Sequence, residues 1–101
     1  ERLVPCNGVY AVRATIDGAM HGGMLNIGVR PTFGELQRAI EVHIFDFDQG
    51  IYGRTLRLDF VRRIRDERRF ASADDLRRQL QADELACRRV LAESSASEEH
   101  R

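Results

Sequence analysis

Several residue types that often carry function are missing from this chain of 101 residues. It has no lysine and no tryptophan, so arginine supplies all 16 basic residues. A Walker A phosphate loop requires lysine and is therefore excluded. No apolar run approaches the roughly 18 residues of a membrane span, and the first residues do not resemble a secretory leader. We therefore expect a cytoplasmic protein with no membrane partner.

Cysteine is also scarce, and the charges of the chain cancel. Cys6 and Cys87 lie outside any CxxC pair, which disfavours a disulfide framework or a zinc site and favours two reduced thiols. The three histidines are scattered, so no metal site is predicted. Sixteen acidic residues balance the arginines. A neutral chain has no general field that attracts nucleic acid, and we expect no nucleic-acid binding.

Alternating apolar residues predict four β-strands in the first two thirds of the chain. The predicted strands span residues 9–16, 20–29, 39–47 and 54–61. Asp17-Gly18 predicts a tight hairpin, because glycine accepts positive φ. Gly22-Gly23 predicts a bulge or a close backbone approach. Segment 30–34 is expected to break the second strand, since Pro31 cannot donate a ladder hydrogen bond.

A helix is predicted to follow the strands. Ser72 opens it, with Asp75 three positions on as in a capping box, and Leu76, Leu80 and Leu91 recur near the helical period. We expect one domain over residues 1–92 and a disordered tail over residues 93–101. Short antiparallel strands followed by one helix indicate an α+β domain built on a small barrel or a curled sheet.

Glu41 is the titratable residue with the clearest catalytic potential. Alternation places it on one face of the third strand with His43, Phe45 and Phe47. A carboxylate beside apolar rings is partly desolvated, which makes it a stronger general base. The alternative is an edge-strand glutamate that faces water, and the pattern alone favours that alternative.

The arginine-rich segment 62–69 also has two interpretations. Its guanidinium groups match phosphate bidentately and would suit a phosphate clamp. Alternatively, the segment is a solvated face that Asp66 and Glu67 neutralise locally. The spacing favours the second interpretation.

Five ordered segments together resemble the riboflavin kinase domains of bacteria, from Leu3 to about Leu91. Residues 7–12 resemble the "GVYAV" strand, 26–33 the "NIGxRPTF" segment, 41–53 the "EVHLLDF…LYG" segment, 64–70 the "LRxExKF" segment, and 72–88 the closing helix. This resemblance implies a riboflavin-kinase-like antiparallel Greek-key β-barrel of six strands with a C-terminal helix, here without its first strand.

The resemblance also implies an activity. Family members transfer the γ-phosphate of ATP to the 5′-hydroxyl of riboflavin, which gives FMN and ADP. In bacteria the domain is usually joined to an adenylyltransferase domain in a bifunctional FAD synthetase. The glutamate of "EVH" is the family's general base and corresponds to Glu41. A positioned carboxylate that takes the proton of an attacking hydroxyl agrees with the interpretation reached from the pattern.

Two sets of binding residues follow from the same resemblance. The flavin ring is expected between the loop before the helix and its first turns, at Arg65, Phe70, Ser72 and Leu76. Asn26, His43 and Tyr52 are predicted to lie near the nucleotide. One departure is Ala71, where relatives commonly carry aspartate, so no flavin contact is predicted at that position.

A second departure is larger. The family's "G-x-PTAN" segment, whose threonine and asparagine bind Mg²⁺ beside ATP, precedes the "GVYAV" strand and does not occur here. Pro31-Thr32 is not that segment, because Phe33 follows it. We therefore expect a truncated kinase domain that is inactive alone. The alternatives are a non-catalytic β-barrel module that binds flavin or a protein partner, and a structural barrel that mediates assembly. The sequence predicts no oligomeric state.

Overall fold

The computed structural model of the chain describes residues 5–99 and contains four strands and one helix. In chain order these are β1 (Gly8–Ile16), β2 (Ala19–Thr32), β3 (Glu35–Ile44), β4 (Leu56–Arg65) and α1 (Ala73–Glu99). Every predicted strand and the predicted helix are present. The α+β class is therefore confirmed.

All strands pair antiparallel in one sheet with the order β3-β2-β1-β4. Three consecutive strands followed by a fourth that returns beside the first form the Greek-key order. The expected barrel is not observed, because within residues 5–99 β3 and β4 remain the two edges of an open sheet. Four strands span too little circumference to close around a layer of side chains.

Two tight turns build the hairpins. Asp17 (φ 49°) and Gly18 (φ 88°) both have positive φ, as a type I′ hairpin requires, so the predicted turn is confirmed. Phe33 (φ 53°) and Gly34 (φ 81°) form the second turn in the same way. The expected break at residues 30–34 is wrong in its extent, because β2 continues to Thr32.

The long β2–β3 ribbon explains how Pro31 is accommodated. β1 begins at Gly8, opposite Ile27, so residues 28–32 at the end of β2 have a neighbouring strand on the β3 side alone. A proline, which lacks the N–H donor, is tolerated where one side of a strand is unpaired. The ribbon therefore projects beyond the rest of the sheet.

Gly22 and Gly23 mark a close approach rather than a bulge in the β1–β2 pairing, whose register is continuous. A Cβ atom on Gly22 would lie 2.8 Å from Cδ1 of Leu91, and one on Gly23 would lie 3.0 Å from the carbonyl oxygen of His43. The missing side chain of Gly22 thus lets α1 pack directly on the sheet.

The sheet is apolar on both faces. The face under α1 buries Val9, Ala11, Met24 and Phe45 against Cys87, Val90 and Leu91. The opposite face buries Tyr10, Val12, Leu25, Ile27, Ala14, Ile16 and Ile44. The predicted shared face of Phe45 and Phe47 is wrong, since Phe47 packs with the second group. β3 ends at Ile44, and the positive φ of Asp46 (56°) interrupts the alternation there.

Ser72 caps α1 as predicted, because its Oγ accepts the backbone N–H of Asp75 at 3.1 Å. The helix continues to Glu99, past the domain boundary expected at residue 92. Segment 93–99 contains no glycine or proline that would end a helix. The boundary and the disorder of residues 93–101 stay predictions. In the part of the chain that the structure describes, no helix is both long and apolar enough to cross a membrane.

Candidate functional site

A cleft lies between the β2–β3 ribbon and α1 and consists of two adjoining cavities. The apolar cavity has a volume of about 350 Å³ and includes Met24, Val42 and Leu80 in its lining. The arginine cavity has a volume of about 180 Å³ and is lined in part by Arg30, Arg65, Arg68, Phe70 and Leu76. Asn26 and Glu41 line both cavities.

Strand register brings the ribbon side chains of this cleft together. Asn26 is paired with Glu41, and Met24 is paired with His43. Directly paired residues of an antiparallel ladder share one face of the sheet. Asn26 and Glu41 belong to two different sequence motifs, and the strand pairing brings them together at one point of the cleft.

Glu41 is exposed to solvent and is not buried among aromatic rings. Its side chain is 55% accessible and forms an ion pair with Arg30, which is 56% accessible. The expected desolvation by Phe45 and Phe47 is therefore wrong, because those rings are directed to different cores of the sheet. What the cleft offers at this point is a solvent-accessible carboxylate that a hydroxyl group can reach. Its role as a general base stays a prediction.

His43 lies in the lining of the apolar cavity, and its predicted place near the nucleotide stays a prediction. Its ring packs edge to face on Phe45 with 5.4 Å between the centroids. Arg88 lies over the same Phe45 ring at 4.5 Å and also pairs with Asp46, which lowers the pKa of the Asp46 carboxyl. This cluster fixes the chain where β3 ends.

Arg65 is held by a buried partner that the sequence did not reveal. Its Nε lies 2.9 Å from Oδ1 of Asp83 and its Nη2 lies 2.7 Å from Oδ2, while Gln79 donates to the same carboxylate at 3.0 Å. The Arg65 side chain is 15% accessible and that of Asp83 is 2% accessible. The available signal was the position of Asp83 on the same helix face as Leu80 and Cys87. An acid on an apolar helix face predicts a buried carboxylate with a charged or polar partner, but does not say which residue that partner is.

Phe70 and Leu76 form one wall of the arginine cavity. The guanidinium carbons of Arg65 and Arg68 lie 5.8 and 5.2 Å from the centroid of the Phe70 ring, within cation–π range. Arg68 also donates to Oε1 of Gln79 at 2.8 Å. The wall is thus an aromatic ring braced by two cations, with an aliphatic side chain beside it.

Two predicted site residues lie elsewhere. Ser72 caps α1 and is not among the residues that line either cavity. Tyr52 is fully exposed in the segment between β3 and β4 and is also absent from both linings. The cleft therefore unites Glu41 with five of the other predicted residues. These are Asn26, His43, Arg65, Phe70 and Leu76.

Glu67 is a cleft residue that sequence reasoning did not single out. Its Oε2 accepts the backbone N–H of Val29 at 2.8 Å, and its Oε1 accepts Nδ2 of Asn7 at 3.0 Å. A Cβ atom on Gly28 would lie 2.8 Å from Oε2. Glu67 thus continues the hydrogen bonding of β2 where β1 is no longer beside it. The sequence signal for this contact was Gly28, because a glycine within a strand indicates that another group approaches the backbone closely.

Two of the five arginines in segment 62–69 form ion pairs with carboxylates. Arg63 donates to Asp66 at 2.5 Å and to the carbonyl oxygen of Asn7 at 2.6 Å. Arg65 is committed to Asp83. These contacts agree with the locally neutralised interpretation more than with an open phosphate clamp.

Neither a metal cluster nor a reactive thiol is evident around the cleft. Among residues 5–99 no group of three histidine, cysteine, aspartate or glutamate side chains is placed to hold a metal ion. Cys87 is buried, and burial together with the nearby Asp83 and Glu84 raises the pKa of its thiol to about 11. A thiol with that pKa is a poor nucleophile.

The sequence of the chain is similar to those of several known proteins. The family model for riboflavin kinase (Flavokinase) matches residues 1–91. A bifunctional riboflavin kinase/FMN adenylyltransferase of Bacillus subtilis is 43% identical over 84 residues, which are 80% of this chain and 27% of that protein. The RNA-binding riboflavin kinase RibR of the same organism is 44% identical over 82 residues, or 80% of this chain and 35% of that protein.

A solved structure has a similar fold. The crystal structure of a protein named as a macrolide-efflux protein from Streptococcus pneumoniae superposes with a TM-score of 0.74 at 41% sequence identity. The match covers 85% of this chain and 28% of that chain. The chain thus spans about a quarter to a third of the proteins to which it is compared.

Proposed function

Because the chain belongs to the riboflavin kinase family, we propose that it contributes the kinase site of a protein that phosphorylates riboflavin. The reaction would transfer the γ-phosphate of ATP to the 5′-hydroxyl of riboflavin and release FMN and ADP. The observation that carries this proposal is the meeting of Glu41, Asn26 and Phe70 in one cleft, since they come from separate segments of the chain.

Glu41 is the residue to which we assign the proton transfer. Its carboxylate takes the proton of the 5′-hydroxyl as the oxygen attacks the γ-phosphorus. The new P–O bond forms while the bond between the γ-phosphorus and the oxygen of ADP breaks, and ADP leaves with the electron pair. A carboxylate open to the cleft supports this role, because a base must reach the proton that it removes.

The flavin ring is assigned to the wall of the arginine cavity. Phe70 and Leu76 offer an aromatic and an aliphatic surface that suit a planar ring. Arg65 is fixed by Asp83 and would present a rigid cation at the ring edge. Ser72 would act only indirectly, by capping the helix whose first turn carries Leu76.

The nucleotide is assigned to the ribbon end of the cleft. Asn26 and His43 lie beside Glu41 and offer polar groups at that end. Tyr52 would have to approach from the loop between β3 and β4. Among residues 5–99, no three carboxylate, histidine or cysteine side chains come together as a magnesium site. We propose that residues outside this chain complete the ATP site and hold its metal ion.

The remaining architecture is also proposed from the family. Further strands would pair with the open edges at β3 and β4 and complete a closed six-stranded barrel. The chain would be part of a cytoplasmic bifunctional FAD synthetase and would be joined to an adenylyltransferase domain. The match to 27% of the length of the bifunctional Bacillus relative supports this arrangement.

We propose no nucleic-acid partner for this domain. The basic and acidic residues each number 16, which leaves no net field for a phosphate backbone. RNA binding is nonetheless part of the name of one relative, of which this chain matches 35%. A filter-binding titration with structured RNA at low salt tests the exclusion, and salt-sensitive retention of RNA would overturn it.

The activity is tested by incubating riboflavin, ATP and Mg²⁺ with the full-length protein encoded by the gene and with the isolated chain. FMN formation by the full-length protein, but not by the isolated chain, is expected. Flavin binding without FMN formation by the full-length protein would favour the alternative of a non-catalytic binding module. The scarcity of metal-binding groups among residues 5–99 is the observation that keeps that alternative open.

The flavin site is tested by Phe70→Ala in the full-length protein. Loss of the ring removes one wall of the cavity, and stacking of this kind is typically worth about 0.5–1.5 kcal/mol beyond area burial. The riboflavin dissociation constant should therefore rise at least severalfold. Phe33→Ala, at a fully exposed ring in the β2–β3 turn, is the matched control. An unchanged dissociation constant for Phe70→Ala would contradict the assignment.

A further inference from the structure

We propose that Arg30 is a phosphate-binding residue of this cleft, which holds Glu41 before the reaction and moves to the phosphate of FMN after it. Arg30 would thereby determine how strongly the site distinguishes FMN from riboflavin. This inference rests on the proposed function and adds to it a residue that discriminates product from substrate.

The starting observation is the ion pair itself. Arg30 on β2 reaches along the ribbon to Glu41 on β3, which is paired with Asn26 rather than with Arg30 in the strand register. Both side chains are more than half exposed. Exposed pairs of this kind contribute little and exchange partners readily. The Arg30 guanidinium can therefore leave Glu41 for a stronger anion.

The other arginines of the cavity are committed to different partners. Arg65 is locked by the buried Asp83, and Arg68 donates to Gln79 and lies over Phe70. The hydrogen bond described for Arg30 is made to Glu41, the residue assigned to the proton transfer. Arg30 is thus the cavity arginine that is paired with the carboxylate assigned to the proton transfer, so it is already at the reacting end.

The chemistry of the proposed reaction drives the exchange. When Glu41 takes the hydroxyl proton it becomes neutral and no longer attracts Arg30. At the same step the deprotonated oxygen acquires a phosphoryl group, whose negative charge appears next to Glu41. A guanidinium group binds phosphate bidentately and more strongly than it binds a neutral carboxyl. The proton transfer and the change of partner by Arg30 are therefore linked.

Flavin-binding titrations of the full-length protein test this exchange with riboflavin and FMN as probes. Arg30→Gln should weaken FMN binding by about 10-fold or more, as expected for a lost charged hydrogen bond, and leave riboflavin binding within about twofold. Arg57→Gln is the matched control, because Arg57 is an exposed, ion-paired arginine on β4 that is absent from both cavity linings. It should change neither dissociation constant.

A second variant gives an effect of the opposite sign. Glu41→Gln removes the carboxylate that competes for Arg30 and repels the phosphate, so FMN should bind several times more tightly. Glu41→Gln should increase FMN affinity less in a protein that also carries Arg30→Gln, because that protein has no guanidinium group to move from residue 41 to the phosphate. Arg30→Lys, which keeps the charge but lacks the planar fork, should lie between Arg30→Gln and the unmodified protein.

The outcomes separate this inference from the proposed function. If Arg30→Gln weakens both flavins equally, or neither, while the unmodified protein binds both, the role of Arg30 is refuted and the kinase proposal stands. If the unmodified protein binds neither flavin, the proposed function is refuted and the inference with it. If Arg30→Gln does not fold, the Arg30→Lys titration decides, and an unchanged FMN affinity in that folded variant refutes the role.

Discussion

Two arginines that line the same cleft form carboxylate pairs that differ in burial. The Arg65–Asp83 pair is 15% and 2% accessible, and the Arg30–Glu41 pair is 56% and 55% accessible. Removing one partner of a buried pair leaves an uncompensated charge in a dry environment, whereas an exposed pair is hydrated when it opens. The same kind of ion pair is therefore a rigid support in one place and a hydrated, exchangeable contact in the other.

The connections of the two pairs strengthen this contrast. Arg65 joins the end of β4 to the middle of α1 and holds the wall that carries Phe70. Arg30 and Glu41 connect neighbouring strands of one ribbon, which backbone hydrogen bonds already hold together. Loss of the first pair should disturb how the helix sits on the sheet, while loss of the second should leave the fold intact and change the chemistry.

The largest effect on stability is expected at Asp83. Asp83→Ala leaves Arg65 without its buried anion and should lower the free energy of unfolding by about 3–5 kcal/mol. Urea unfolding followed by circular dichroism measures the change. Asp74→Ala, at an exposed acid on the same helix, should change it by no more than about 1 kcal/mol. Similar small effects at both positions would remove the distinction between the two pairs.

An intermediate effect is expected from Cys87, which shares the buried face of α1 with Asp83. Burial raises its thiol pKa from the ordinary 9.0 to about 11, so the folded state binds more protons than the unfolded state between these values. The free energy of unfolding should therefore be highest below pH 9 and fall as pH rises toward 11, by at most about 3 kcal/mol.

Unfolding of the unmodified chain and of Cys87→Ala, compared from pH 8 to pH 11, isolates the thiol contribution, because all other groups are common to both. The slope with pH should be shallower in Cys87→Ala. Identical slopes would show that this face of the helix is more hydrated than the structure indicates, and would weaken the case for a dry Arg65–Asp83 pair.

The smallest effect on stability is expected when the exposed pair is broken. Arg30→Gln should change the free energy of unfolding by less than about 1 kcal/mol, because both side chains are hydrated once they separate. Urea unfolding measured beside Asp83→Ala gives the comparison directly. A loss above about 2 kcal/mol would mean that Arg30 supports the fold and is not available for exchange.

Local patterns predicted the elements well, and long-range partners poorly. Asp17-Gly18 and the Ser72 cap were readable from sequence, because each depends on neighbours within a few residues. The partner of Arg65 was not readable, since Asp83 lies 18 residues away and on a different element. The face of Phe47 was misassigned because nothing in the alternation reveals the positive φ of Asp46.

The assignment of the candidate site rests on resemblance more than on pattern. Pattern alone favoured an exposed Glu41, which agrees with its 55% accessibility, and the motif similarity was what identified it as a candidate base. Motif similarity also named Ser72 and Tyr52 as site residues, and neither of them lines the cleft. Their positions depend on how the capping turn and the loop after β3 fold, and short motifs do not encode those paths.

The most direct test of Glu41 as the general base is a single-turnover measurement of phosphate transfer to riboflavin by the full-length protein and its Glu41→Gln variant. The variant keeps the size of the side chain and one acceptor but cannot take the proton. Transfer should be slower by about 10²–10⁴-fold, with nearly unchanged stability and riboflavin binding. A folded Glu41→Gln variant that transfers phosphate at more than half the rate of the unmodified protein would contradict the assignment of Glu41 as the base.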